Sequence, residues 1–68
     1  MEISARNQLR GTVKRVAMDG LMAEVVVEID GQEIVSTITR SSAERLDLKK
    51  GDAVLAVIKA SEVLIARG

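Results

Sequence analysis

Two Asp-Gly pairs, Asp19-Gly20 and Asp30-Gly31, constrain the fold of this chain more than any other feature of its sequence. Asp-Gly is a preferred pair in two-residue hairpin loops, because such loops need positive φ angles that few other residues adopt readily. Between the pairs, Val25, Val27 and Ile29 alternate with residues that point to the opposite side, which is the period of a β-strand. The sequence therefore predicts a meander of three strands, at Leu9 to Met18, Leu21 to Ile29 and Gln32 to Thr39.

A short helix and two further strands are predicted after the meander. Ser41 and Glu44 have the Ser-x-x-Glu spacing of a capping box, in which each side chain satisfies a backbone N–H at the start of a helix. Gly11, inside the first strand, indicates a bulge or a close approach of two backbones. The remaining elements are a helix at Ser42 to Leu46, a turn at Lys49 to Asp52, and strands at Ala53 to Lys59 and Glu62 to Arg67. Five strands with one short helix between the third and the fourth predict a single all-β domain over residues 1–68, an OB-like Greek-key barrel.

The length of 68 residues leads us to expect association with further copies. A domain of this size buries only about 60% of its unfolded surface and usually needs an additional stabilising device. The chain has no Cys, so that device is not a disulfide. The strand at Ala53 to Ile58 is apolar on both faces, either because it is central and buried on both sides or because one face meets another molecule. Because a barrel this small has a core for only one face, we expect the second face to pack against another subunit.

Composition excludes several classes of function. With neither Cys nor His, the chain lacks the usual ligands of zinc, haem and iron–sulfur clusters. It has 10 basic and 10 acidic residues and no aromatic residue, whereas nucleic-acid-binding domains normally carry a basic surplus and often stack bases on aromatic rings. The acidic residues are scattered and the glycines form no nucleotide-binding loop, so we expect neither an enzyme nor a cofactor. Its apolar runs are too short for a membrane span and no signal peptide is visible, so we expect a cytoplasmic protein with no membrane partner.

Two similar dyads carry the remaining chemistry. Ser4-Ala5-Arg6 and Lys59-Ala60-Ser61 each place one cation two residues away from one hydroxyl. In extended backbone, residues i and i+2 project to the same side, so each dyad would offer a cation and a hydroxyl together. Cations, hydroxyls and accessible backbone amides are the donors that a compact oxyanion requires. From the residues alone, an oxyanion site and ordinary solvated strand ends both remain open.

The segments that contain these dyads resemble a known family. Residues 3–11, ISARNQLRG, are similar to the opening signature of the molbindin (Mop) family, the TOBE-type molybdate-binding domains. Residues 57–63, VIKASEV, are similar to the family's segment near the C-terminus, and matches at 23–25, 38–42 and 48–52 lie between them in the same order. The resemblance covers the whole chain, which is therefore similar to a stand-alone molbindin rather than to part of a transporter or a regulator.

This resemblance implies an assembly and a binding site. It implies an OB-like fold, a homo-oligomer that is a hexamer (a trimer of dimers), and binding of molybdate or tungstate between subunits. The metal is bound only as an oxyanion, so no residue is implied to ligate a metal ion. Thr39 lies in a segment that is implied to add a donor, and we expect Asn7 to hold the start of the first strand in place. The other oxyanion-binding positions implied by the resemblance are Ser4, Arg6, Lys59, Ala60 and Ser61.

Three functions follow from these expectations. The first is storage of molybdate or tungstate in the cytoplasm, in the service of molybdenum homeostasis. The alternative is an interaction module that senses molybdate and regulates a partner protein. A small OB-type RNA-binding domain is the third, and the zero net charge and the absence of aromatic residues argue against it.

Overall fold

A curled four-stranded antiparallel sheet forms the body of the protein, described here by a computed structural model of residues 2–68. Residue 1, which begins the predicted domain 1–68, lies outside the described residues. The strands are in the order β3-β2-β1-β4 across the sheet. No helix within residues 2–68 has the length and apolar character to cross a membrane. The elements are β1 (Asn7–Asp19), β2 (Met22–Ile29), β3 (Gln32–Thr39), the helix α1 (Arg40–Arg45), β4 (Ala53–Ile58) and a 3₁₀ turn (Ala60–Glu62).

The predicted meander is confirmed, with one difference in its first turn. In the second hairpin, Asp30 and Gly31 both have positive φ, at 50° and 79°, and connect the paired residues Ile29 and Gln32. In the first hairpin the last ladder pair is Asp19 with Met22, so the loop is Gly20-Leu21 and Asp19 remains in the strand. Only the glycine of that loop has a positive φ, 62°, which is the pattern of a type II′ turn. The position of the glycine in each loop therefore determines the conformation of the turn.

A small core of short aliphatic side chains holds the curled sheet together. The buried core residues are Val13, Ala23, Val25, Val26, Val27 and Ala43. The close backbone approach predicted at Gly11 is confirmed, since a Cβ at this position would lie 2.6 Å from Val27 Cγ1 and 2.7 Å from the Glu28 carbonyl oxygen. The bulge lies further along β1, where the register with β2 shifts between Val13 and Arg15. Gly11 thus lets β1 cross closely over β2, and the bulge bends the strand just beyond.

Helix α1 begins earlier than predicted and has a different cap. Thr39, at the end of β3, is the N-cap residue, and its Oγ1 accepts a hydrogen bond of 3.1 Å from the Ser42 amide. The capping box predicted for Ser41 and Glu44 is wrong, because the chain enters the helix directly from the strand and Ser41 already lies inside it. Glu44 instead forms an ion pair of 3.5 Å with Arg40, one turn earlier.

The predicted fifth strand, Glu62 to Arg67, does not form in the described chain. Residues 60–62 make a 3₁₀ turn, with the Glu62 amide bonded to the Lys59 carbonyl oxygen at 2.8 Å, and residues 63–68 have no regular structure. This turn takes the backbone out of the β4 ladder, and a strand needs a neighbouring strand to pair its N–H and C=O groups. Leu64 and Ile65 are each 90% exposed as a result. The sheet consequently has four strands and not five.

The edge strands β3 and β4 face each other across an apolar cleft of about 380 Å³. Ile34 and Ile38 line one side of this cleft, and Val54 and Ile58 line the other. The opposite face of β4 carries Leu55 and Val57, which are 43% and 41% exposed. The curled sheet is therefore an incompletely closed barrel, with one apolar face of β4 turned inward and the other left uncovered by this chain.

Candidate functional site

The structure brings the two predicted dyads to the same end of the sheet. Asn7 and Ile58 form the last pair of the antiparallel β1–β4 ladder. Arg6 and Lys59 each lie one residue outside this pair, so the two cations flank it from opposite strands. Ser4 precedes and Ser61 follows on the same two segments. We refer to Ser4, Arg6, Lys59, Ala60 and Ser61 as the dyad end.

Asn7 fixes the geometry of the dyad end. Its side-chain amide Nδ2 donates a hydrogen bond of 3.2 Å to the Ile58 carbonyl oxygen, on the neighbouring strand. Next to it, Gln8 Nε2 donates to the Ala5 carbonyl oxygen at 3.3 Å. The structural role expected of Asn7 is confirmed. These two bonds hold the segment that carries Arg6 against the end of β4.

The backbone around the second dyad differs from the extended geometry that the spacing predicted. Lys59 is extended, with φ −66° and ψ 140°, but Ala60 and Ser61 belong to the 3₁₀ turn. Successive residues in a 3₁₀ helix are rotated by a third of a turn, so Lys59 and Ser61 do not share one side as they would in a strand. The 3₁₀ turn has free backbone N–H groups instead, because its first amides have no carbonyl partner within the turn. Ala60 and Ser61 therefore contribute backbone donors beside the lysine.

Arg6 and Lys59 have no acidic partner among residues 2–68, whereas four of the other eight cations of the chain do. Lys14 is paired with Glu33, and the hydrogen bond between them raises the pKa of Lys14 and lowers that of Glu33. Arg15, Arg40 and Lys49 are likewise paired with acidic residues. Neither cation of the dyad end is therefore engaged in an ion pair within the described chain.

Thr39 lies elsewhere on the sheet. It pairs with Met22 on β2, and Met22 pairs with Asp19, the last residue of β1, whereas the dyad end adjoins Asn7, the first residue of β1. Thr39 and the dyad end therefore adjoin opposite ends of a strand of 13 residues.

The Thr39 hydroxyl belongs to a cluster of hydroxyls that the sequence reasoning did not identify. Thr39 Oγ1 donates to Ser42 Oγ at 2.8 Å and lies 3.3 Å from Ser41 Oγ. Arg45 Nη2 donates to the same Ser42 oxygen at 3.2 Å. The signal for this cluster was the placement of three hydroxyl residues within four positions at the junction of a strand and a helix. The cluster supplies O–H donors beside a guanidinium at the far end of β1.

Comparison with known proteins decides the family. Residues 3–65 match the TOBE domain. The chain belongs to the TOBE-domain family. This TOBE domain is 47% identical over 66 residues to molybdenum-pterin-binding protein 1 of Clostridium pasteurianum, with 96% of this chain and 97% of that protein covered. The molbindin resemblance drawn from the dyad segments is thereby confirmed.

Solved structures confirm the OB-like fold of the TOBE domain. A molybdate-binding protein from Sporomusa ovata matches it with a TM-score of 0.94 and 42% identity, over 98% of this chain and 100% of that one. The cytoplasmic molybdate-binding protein ModG, in a form with molybdate bound, matches with a TM-score of 0.88 and 43% identity, over 94% of this chain and 46% of that one. The architecture of this chain is therefore one on which other proteins bind molybdate.

Proposed function

We propose that this protein binds molybdate or tungstate, as the intact oxyanion, between subunits of a homo-oligomer, and that it stores the anion in the cytoplasm for molybdenum homeostasis. One observation carries the proposal: the two dyads meet at one end of the sheet, where Arg6 and Lys59 have no acidic partner among the described residues. The similarity to proteins that bind molybdate supports it. Binding rather than catalysis is proposed, because cations, hydroxyls and backbone amides are the groups that hold an anion.

The chemistry of the dyad end suits a dianion without protons. Molybdate is a tetrahedral dianion at neutral pH, so Arg6 and Lys59 balance its two charges. The hydroxyls of Ser4 and Ser61 and the amides of the 3₁₀ turn then engage its oxygens. Hydrogen phosphate carries a proton that needs an acceptor, and the only side-chain acceptors of the dyad end are the two hydroxyl oxygens, so the site favours an oxyanion without protons. Sulfate carries no proton, so its rejection rests on its smaller size.

The assembly part of the proposal rests on the surfaces and site residues that a single copy leaves exposed. The residues of the dyad end are exposed, and Thr39 lies at the opposite end of β1. The apolar outer face of β4, the apolar tail at residues 63–68 and the cleft between β3 and β4 are also uncovered in one copy. Contacts between copies would cover these surfaces and would bring Thr39 of one copy to the dyad end of another. A hexamer arranged as a trimer of dimers is the assembly we propose.

Calorimetry and thermal unfolding with a panel of anions, combined with native mass measurement, test this function. Molybdate and tungstate should raise the unfolding midpoint of the oligomer, because a ligand that binds only the folded state stabilises it. Phosphate at the same concentration should raise it much less. An equal shift with phosphate would contradict the proposed selectivity, and a monomeric native mass in the presence of molybdate would contradict a site between subunits.

A further inference from the structure

The outer face of the sheet at the Thr39 end carries an acidic side chain as well as hydroxyls. Asp19, Met22 and Thr39 lie in one row across β1, β2 and β3, because Asp19 pairs with Met22 and Met22 pairs with Thr39. Directly paired residues of an antiparallel sheet project to the same face, and all three are exposed. A shallow groove of about 330 Å³ lies against this row, with Asp19, Met22 and Glu24 among its lining residues.

The two carboxylates of this groove differ in their partners. Glu24 forms an ion pair of 3.3 Å with Arg15. Asp19 forms no ion pair and no side-chain hydrogen bond with any residue that the structure describes. Asp19 at one end of β1 and Arg6 and Lys59 at the other thus form no ion pair in the described chain, as is true of several other charged residues. The ladder gives Asp19 no neighbouring position to either cation within one copy.

We propose that this face docks the dyad end of a second copy, and that Asp19 is the counter-charge of Arg6 and Lys59 until an oxyanion replaces it. The inference rests on the proposed function, because a site that joins Thr39 to the dyad end of another copy places that end on the same face. Strands are about 4.8 Å apart, so Asp19 lies about 10 Å from Thr39, two strands away. A lysine or arginine side chain at the dyad end bridges such a separation.

The energetic argument concerns the empty site. Two cations that are partly desolvated at an interface destabilise it unless an opposite charge is nearby. Asp19 supplies such a charge in the absence of ligand. A bound dianion compensates both cations fully, and Asp19 is then a like charge in its vicinity. Asp19 therefore stabilises the ligand-free assembly and weakens oxyanion binding, two effects of opposite sign that a purely structural residue does not produce.

The test compares Asp19→Asn with Asp30→Asn. Each substitution removes one carboxylate from an Asp-Gly pair, so the change in net charge is identical. Asp30 lies in the other hairpin with φ 50°, a conformation that Asn tolerates. Dissociation of the ligand-free oligomer is measured by sedimentation. Molybdate affinity is measured by calorimetry at protein concentrations at which the wild type and both variants are fully assembled, so that dissociation does not lower it. Both measurements are made at low ionic strength, where charges act over about 10 Å or more.

We expect Asp19→Asn to lower the dissociation constant for molybdate by roughly three- to tenfold, as estimated for a like charge at about 10 Å, and to promote dissociation of the ligand-free oligomer. Asp30→Asn should change both quantities less than Asp19→Asn does, because Asp30 lies in the other hairpin and not in the row that contains Thr39. The inference is overturned if the two variants behave alike. It is also overturned if Asp19→Asn changes the dissociation constant for molybdate and the dissociation constant of the ligand-free oligomer in the same direction. If the wild-type protein binds no molybdate, the proposed function fails, and the sedimentation measurement still decides whether Asp19 makes the contact.

Discussion

Replacement of Arg6 by alanine tests most directly where the oxyanion binds. In the described chain Arg6 is exposed and has no ion pair, so its removal leaves no buried group without a partner and should leave the fold intact. In the complex, the same change removes hydrogen bonds between a guanidinium and a dianion. A hydrogen bond to a charged group contributes about 1.5–3 kcal/mol. We therefore expect Arg6→Ala to weaken molybdate binding by about 10- to 150-fold.

Arg10→Ala is the matched control for this variant. Arg10 lies on β1, four residues after Arg6, and is likewise exposed and without an ion pair within residues 2–68. In β1 it pairs with Leu55, away from the dyad end. Four residues of strand span roughly 13 Å, which exceeds the screening length of about 8 Å at physiological salt. Arg10→Ala removes the same charge, and its affinity should remain within about twofold of the wild type.

Calorimetry at about 150 mM salt measures both affinities, after native mass and circular dichroism have shown that the variants keep the wild-type assembly and fold. The reasoning is refuted if Arg6→Ala binds molybdate as the wild type does. It is also refuted if Arg10→Ala loses as much affinity as Arg6→Ala, because the loss would then report net charge and not a contact at the dyad end.

Three further predictions concern the fold and the Thr39 end. Gly11→Ala should destabilise the protein by about 1–3 kcal/mol in urea unfolding, because its Cβ would lie 2.6 Å from Val27, whereas Gly68→Ala, which meets nothing within 4 Å, should have no effect. Thr39→Val should cost about 1 kcal/mol of stability and weaken molybdate binding, with both restored in Thr39→Ser; an unchanged affinity in calorimetry would remove Thr39 from the site. Because Lys14 lowers the pKa of Glu33, that pair stabilises the folded state above the unfolded pKa of the carboxyl, and the stability is lost as pH falls through the lowered pKa. Glu33→Gln should therefore reduce the loss of stability as pH falls below the ordinary pKa of a glutamate, and identical urea midpoints for variant and wild type throughout an acid titration would contradict it.

The parts of the fold that the sequence predicts are those that local chemistry determines. The hairpins follow from the φ angles that Gly20, Asp30 and Gly31 adopt, and the close approach at Gly11 follows from the absence of a side chain. The cap of α1 was assigned to the wrong residue because Thr39 and Ser41 are both good N-cap residues. Only the end of the β3 ladder, which the sequence does not specify, decides between them.

The predicted fifth strand fails for a different reason. Residues 62–67 have the apolar content of a strand, but apolar content shows only which side chains need to be covered and not which backbone provides the pairing. The 3₁₀ turn at Ala60–Glu62 takes the tail out of the β4 ladder, and Leu64 and Ile65 are left exposed. A sequence pattern cannot show whether apolar side chains are covered by the same chain or by another copy of it. The same ambiguity applies to Leu55 and Val57 on the outer face of β4.

The candidate site shows the same ambiguity between one copy of the chain and several. Motif similarity identified Arg6, Lys59 and Thr39 together, yet Thr39 adjoins one end of β1 and the two cations adjoin the other. In the proposed site these residues come together through assembly of several copies. Anion binding and oligomer formation are then thermodynamically linked, so that molybdate at 100 times its dissociation constant should stabilise the assembled state by about 2.7 kcal/mol for each site. It follows that dilution of the protein should weaken molybdate binding, and that saturation with molybdate should prevent dissociation of the oligomer on dilution.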